Sequence, residues 1–210
     1  MTHTLHRRGS EAGLCRDFIV LILPARGLNL EGSEEKMGRM WEVISHYRDK
    51  GLVNYGNLTD GSSQKVDLER LITGKSRISH AVFNDQEALE GCLREFKEQE
   101  FGISVVVSGL FEEAAEVCRR AGLTPHTVEH SLGVHGRTEL LPREEILEIT
   151  TMCGHALVAP RLVESLVEKI EQGKTTPAKA AKKLSRLCEC GIFNPQRAEE
   201  VLTSLARTGD

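Results

Sequence analysis

An uninterrupted apolar run, Phe18-Ile19-Val20-Leu21-Ile22-Leu23, lies near the start of the chain. A strand that packs against the core on one face alternates apolar with polar residues, whereas a strand covered on both faces is apolar throughout. The run therefore predicts a central β-strand whose sheet is covered by other elements on both sides.

The segments that follow this run alternate between strand-like and helical patterns. The strand-like segments are residues 52–57, 78–83, 103–107 and 125–134. Residues 59–63 have the composition of a loop. Strands separated by helices indicate an α/β fold with a sheet of about five strands and covering helices. Two sheet types stay open, a parallel sheet and a ferredoxin-like split order with antiparallel pairs.

The last third of the chain shows helical patterns only. Helices are predicted at residues 142–151, 160–172, 177–189 and 195–206. Pro160, Pro177 and Pro195 each mark a start, because proline is favoured at the first helical position. We therefore expect an α/β domain over residues 1–138, followed by an all-helical C-terminal segment over residues 139–210.

The composition narrows the class of partner. The chain of 210 residues is 40% hydrophobic and 28% charged, which is typical of a globular protein. Its formal net charge is −4, and only 4% of its residues are aromatic. Its basic runs, such as Arg7-Arg8, are all short. Nucleic-acid surfaces need basic stripes and stacking aromatics. No apolar stretch approaches the roughly 18 to 20 residues that span a bilayer, so we expect no nucleic-acid and no membrane partner.

The N-terminal sequence bears on the compartment of the protein. Residues 1–8 lack the apolar segment and the cleavage site of a secretory signal. We therefore expect a cytoplasmic protein. In that reducing environment, the six cysteines are expected to persist as thiols or as metal ligands.

Two short motifs in the C-terminal segment carry the clearest chemistry. They are Cys153-Gly154-His155 and Cys188-Glu189-Cys190-Gly191. Both lie where predicted helices break or end, and a neighbouring glycine lets the backbone turn tightly. Three thiols and one imidazole suit tetrahedral zinc, and three thiolates alternatively suit an iron–sulfur cluster. We predict Cys153, His155, Cys188 and Cys190 as the metal ligands.

Two other interpretations of these cysteines compete with the metal site. The usual zinc pairs are separated by two to four residues, so the single-residue spacing by itself favours packed structural thiols. In that case Cys188 continues the inner helical stripe of Ala181 and Leu184. Alternatively, Cys153 acts as a nucleophile, because a thiol near a helix start and an imidazole can have a lowered pKa.

A second group of residues suggests acid–base chemistry at the edge of the sheet. His126 and His130 share one face of the predicted last strand and are our catalytic candidates. Ser108 and Gly109 precede a predicted helix, whose first backbone amides could hold a small anionic ligand. The alternatives are hydrogen-bonded structural histidines and an ordinary turn. His3 lies in a terminus for which we expect fraying rather than a site.

Three classes of function follow from these patterns. The leading hypothesis is a metal-binding α/β protein, with zinc or an iron–sulfur cluster in a structural or redox role. The second is an enzyme acting on a small anionic metabolite. The third is a protein-interaction module that forms a homodimer through its helical end.

Overall fold

The computed structural model describes residues 3–207 and has an antiparallel sheet of five strands at its centre. The strands are β1 (Phe18–Leu23), β2 (Leu52–Asn57), β3 (Gly61–Ser62), β4 (Ser79–Phe83) and β5 (Ser104–Ser108). They lie in the order β3-β2-β4-β1-β5, and each pairs antiparallel with its neighbours. This is the ferredoxin-like split order, extended at one edge by the β2–β3 hairpin.

Helices cover the two faces of the sheet. One face packs against α2 (Ser33–Ser45), α3 (Leu68–Ile72), α4 (Gln86–Glu98) and α5 (Phe111–Arg120). The other face packs against α6 (Glu144–Thr150), α7 (Pro160–Glu171), α8 (Pro177–Ser185) and α9 (Pro195–Arg207). A short helix, α1 (Glu11–Leu14), precedes β1, and a 3-10 helix spans Thr138–Leu140. The sheet is therefore the middle of three layers.

The central strand β1 contributes to two separate cores. Phe18, Val20 and Ile22 pack with the helices of the first face. Ile19 and Leu21 pack with the C-terminal helices of the second face. All five side chains are buried. The structure confirms that the apolar run forms a strand covered on both sides.

Two local predictions about strands were wrong. Residues 125–134 form no strand but an irregular, exposed stretch, in which the side chains of Val128 and Leu132 are 54% and 79% exposed. Residues 59–63, expected as a loop, contain β3, which pairs with β2. Alternation of apolar and polar residues predicts which face of a sheet each side chain takes. A segment forms a strand, however, only if it can also pair with the edge of another strand.

The helical C-terminal segment is present as predicted. Pro160, Pro177 and Pro195 are the first residues of α7, α8 and α9. Helix α8 ends earlier than expected, at Ser185, so the cysteines that follow lie in a loop. The division into two domains stays a prediction. Among the described residues, none of the helices combines the length and the apolar character needed to span a bilayer.

A substitution pair tests the second core. Leu21 is fully buried and pairs directly with Val106 of β5, which is 42% exposed. We expect Leu21→Ala to lower the free energy of unfolding by about 2 to 5 kcal/mol, because it leaves a cavity. Val106→Ala should cost less than about 1 kcal/mol. Urea unfolding measures both, and equal losses would contradict the two-core description.

Candidate metal centre

Three parts of the chain meet at the face covered by the C-terminal helices. They are the N-terminal segment (residues 3–10), the first donor loop (residues 151–159) and the second donor loop (residues 186–194). The Arg8 amide of the N-terminal segment donates to Thr151 Oγ1 at 3.0 Å. In the two loops, Cys190 Sγ and His155 Nδ1 are 3.6 Å apart. The donors of a site are thus gathered from positions distant in sequence.

His3, His155 and Cys190 form a group that could hold a metal ion. Each offers one ligand atom, and these atoms lie within 4.8 Å of one another. The rings of His3 and His155 are 4.8 Å apart between centroids and tilted by 31°. Cys190 is buried, His3 is half-buried and His155 is exposed. The group therefore lies at the rim of the second core, with one side reaching solvent.

Two more thiols adjoin Cys190 inside the core. Cys153 and Cys188 are buried, and the Cys188 thiol interacts with those of both Cys153 and Cys190. Interaction with Cys188 lowers the pKa of Cys190 despite its burial. Interaction with Cys188, together with burial, raises the pKa of Cys153 well above its usual range. Cys190 is therefore the thiol of these three best suited to become a thiolate ligand.

The thiol of Cys188, which lies between the other two, has a raised pKa. Cys153 lowers the pKa of Cys188, but the Cys190 thiol and burial outweigh it and raise the value to about 11. Cys188 thus keeps its proton at neutral pH. Two thiols with a raised pKa beside one with a lowered pKa favour a single sulfur ligand at this centre.

A buried histidine of the sheet lies beneath the group. His80 of β4 is 2% exposed, and its ring is 5.3 Å from the ring of His3 in an edge-on arrangement. Nε2 of His3 has no hydrogen-bond partner among the described residues. The ring of His80 faces the backbones of Gly56 and Cys190, although neither of its nitrogens makes a hydrogen bond of normal geometry. Buried polar atoms without partners are costly and uncommon in folded proteins. A metal ion on His3 would supply one such partner.

Burial also controls the charge of His80. Desolvation, with smaller contributions from the neighbouring His3 and His155, lowers the pKa of His80 to about 3. Desolvation and the nearby His155 lower the pKa of His3 as well. Neutral imidazoles are the form that binds metal ions.

Glycines let other parts of the backbone approach both donor loops. At Gly154, an added Cβ would lie 1.5 Å from the His3 carbonyl oxygen. At Gly191, where φ is +80°, it would lie 2.3 Å from the carbonyl carbon and oxygen of Tyr55 in β2. The sequence predicted tight turns at these glycines. In the structure, they also admit the N-terminal segment and the sheet.

The structure brings together the residues predicted as metal ligands, but in a different set. His155 and Cys190 belong to the group of three, and Cys153 and Cys188 adjoin it as buried thiols. The third member, His3, was assigned to a frayed terminus. No local spacing links His3 to either loop, because tertiary contacts bring it there.

The predicted catalytic histidines lie in the irregular stretch of residues 125–134. His126 and His130 are both exposed, and His126 Nδ1 is 2.8 Å from Thr127 Oγ1 of the same stretch. Their pairing on one face of a strand is absent, because the stretch forms no strand. Their catalytic role stays a prediction.

The predicted anion-binding turn has a packing explanation. Gly109 lets the chain pass the ring of Phe18, since an added Cβ would lie 2.7 Å from it. Ser108, the last residue of β5, is half-buried. Glu112 and Glu113 occupy the first turn of α5. These carboxylates oppose a bound anion at this helix start, and an anion role for Ser108 and Gly109 stays a prediction.

Comparison of the chain with protein-family models, curated proteins and solved structures found no match. Function is therefore inferred from the geometry and chemistry of the site itself.

The close approach at Gly191 leads to a stability prediction. Gly27 has nearly the same φ, +78°, but an added Cβ would meet nothing within 4 Å. Gly27→Ala should therefore cost only the backbone strain of about 1 to 2 kcal/mol. We expect Gly191→Ala to cost roughly 1 to 3 kcal/mol more, because the new methyl group meets the backbone of β2. Urea unfolding compares the two, and equal losses would show that the loop is not pressed against β2.

The low pKa of His80 leads to a pH prediction for the metal-free protein. The pKa is 6.5 when the imidazole is fully solvated and about 3 when it is buried, so the unfolded chain takes up the proton first on acidification. His80 therefore has no effect of this kind above pH 6.5, but it lowers the free energy of unfolding progressively as the pH falls from 6.5 towards 3. We expect His80→Gln to flatten this acid-induced loss of unfolding free energy. The control His126→Gln should show the same dependence of the unfolding free energy on pH as the wild type. The prediction is contradicted if His80→Gln also shows the wild-type dependence.

Proposed function

We propose that the protein binds a zinc ion through His3, His155 and Cys190. The observation that carries the proposal is the convergence of these three ligand atoms within 4.8 Å. Two imidazoles and one thiolate are common zinc ligands, with Zn–N near 2.0 Å and Zn–S about 2.3 Å. A small inward movement of the side chains brings the three atoms to these distances.

A single ion suits the site better than an iron–sulfur cluster. Two of the three converging donors are imidazoles, whereas such clusters are held mainly by cysteine thiolates. Cys153 and Cys188 could supply further sulfurs, but their thiols interact directly with each other. A cluster would have to separate these thiols inside a packed core.

The chemistry of Cys190 and His155 also favours a zinc ion. The lowered pKa of Cys190 reduces the cost of losing its proton on metal binding. His155 is exposed, so an ion can enter from solvent and a water molecule can fill the fourth position. The bound ion would join the N-terminal segment to both donor loops. We infer that zinc stabilises this face of the protein.

Metal analysis tests the proposal directly. Protein without an affinity tag, purified under reducing conditions, should contain about one zinc ion per chain and little iron, as a single-ion site requires. Cobalt substitution should give the visible absorption of thiolate-bound cobalt. Absence of stoichiometric metal after zinc loading would contradict the proposal.

Variants identify the ligands. His3→Ala, His155→Ala and Cys190→Ser should each lose the ion or bind it far more weakly. Cys118→Ser is the matched control, because this half-buried thiol packs against the first core on the opposite face of the sheet. It should keep the wild-type zinc content. Loss of zinc in Cys153→Ser but not in His3→Ala would instead support the ligand set predicted from the sequence.

A further inference from the structure

Arg7 binds the backbone of both donor loops without contributing a ligand atom. Its side chain is 6% exposed, and its Nη1 pairs with Asp17 Oδ2 at 2.5 Å. Its Nη2 donates to the carbonyl oxygen of Met152 at 3.2 Å and to that of Ile192. Met152 belongs to the first donor loop and Ile192 to the second. One nitrogen therefore joins the two loops that carry His155 and Cys190.

The same residue places the third donor. Arg7 follows His3 by four positions in the N-terminal segment. The neighbouring Arg8 amide donates to Thr151 Oγ1, and the His3 backbone passes directly over Gly154. Arg7 thus fixes the segment at the point where His3 reaches the loops.

Only an arginine can make this set of contacts. The guanidinium has five N–H donors in a fixed plane, so it can serve a carboxylate and two carbonyl oxygens together. A lysine has a single nitrogen, which cannot span the same three acceptors. The carboxylate of Asp17 is itself fixed, because Arg197 Nη1 and Asn194 Nδ2 also donate to it, at 2.7 and 3.0 Å.

We propose that Arg7 is the positioning residue of the metal centre and that ion binding and docking of the N-terminal segment are coupled through it. The proposal rests on the proposed zinc function. Without Arg7, the carbonyl oxygens of Met152 and Ile192 lose the hydrogen bonds that join the two loops. The segment that carries His3 also loses its ion pair with Asp17. Coupling is reciprocal, so a segment that strengthens zinc binding must itself be held more firmly when zinc is bound.

Zinc affinity in four proteins tests the positioning role. Outer-shell residues typically contribute about 10- to 100-fold to metal affinity, and we expect a loss of that size for Arg7→Gln. Arg7→Lys should recover part of it. Arg120→Gln is the control, because Arg120 is partly buried and pairs with Glu90 at the opposite face of the sheet, away from both donor loops and the N-terminal segment. It should leave zinc affinity nearly unchanged.

Hydrogen exchange of the N-terminal segment tests the coupling. Zinc should slow exchange of the amides in residues 4–9 of the wild type, including that of Arg8. The effect should be much smaller in Arg7→Gln and absent in His155→Ala. Helix α5 packs against the opposite face of the sheet and serves as an internal control whose exchange should not respond to zinc.

The outcomes separate the two proposals. If the wild type binds one zinc ion and Arg7→Gln binds it equally tightly, the role of Arg7 is wrong and the zinc function stands. If zinc binds without slowing exchange in residues 4–9, the coupling is wrong. If the wild type binds no zinc, both proposals fail.

Discussion

The carboxylate of Asp17, just before β1, is fully buried and accepts hydrogen bonds from Arg7, Arg197 and Asn194. Glu148 lies 3.6 Å from Arg197, so two guanidinium groups face two carboxylates in this network. Removing one partner of a buried ion pair typically costs about 3 to 5 kcal/mol, because the remaining charge stays buried. The N-terminal segment is therefore docked by charge, and the candidate metal centre depends on that docking.

Much of the architecture follows from local patterns, and the rest depends on long-range pairing. The apolar run of β1 predicted a sheet covered on both faces, and the prolines at the starts of α7, α8 and α9 predicted those helices. Strand order was not predictable, since antiparallel and parallel sheets both accept such a strand. Residues 125–134 alternate like a strand but lie exposed and pair with none of the described strands.

The candidate site divides in the same way. Cys190 and His155 could be predicted because each belongs to a short motif beside a glycine, at a helix boundary. His3 could not, because its place is set by Arg7, which bonds the carbonyl oxygens of Met152 and Ile192. Contacts of one side chain with distant backbone carbonyls leave no periodic or motif signal. A donor brought in by tertiary contact is therefore invisible to arguments from spacing.

His3 and His80 would be affected differently by an ion bound at this centre. A buried imidazole nitrogen without a partner, such as Nε2 of His3, costs stability, whereas functional sites tolerate such costs. His3 would gain a partner in the bound ion. His80 would not, but its pKa of about 3 keeps it neutral, so it adds no positive charge near a divalent cation. His80 thus packs beneath the proposed ligands as an uncharged ring that would not repel zinc.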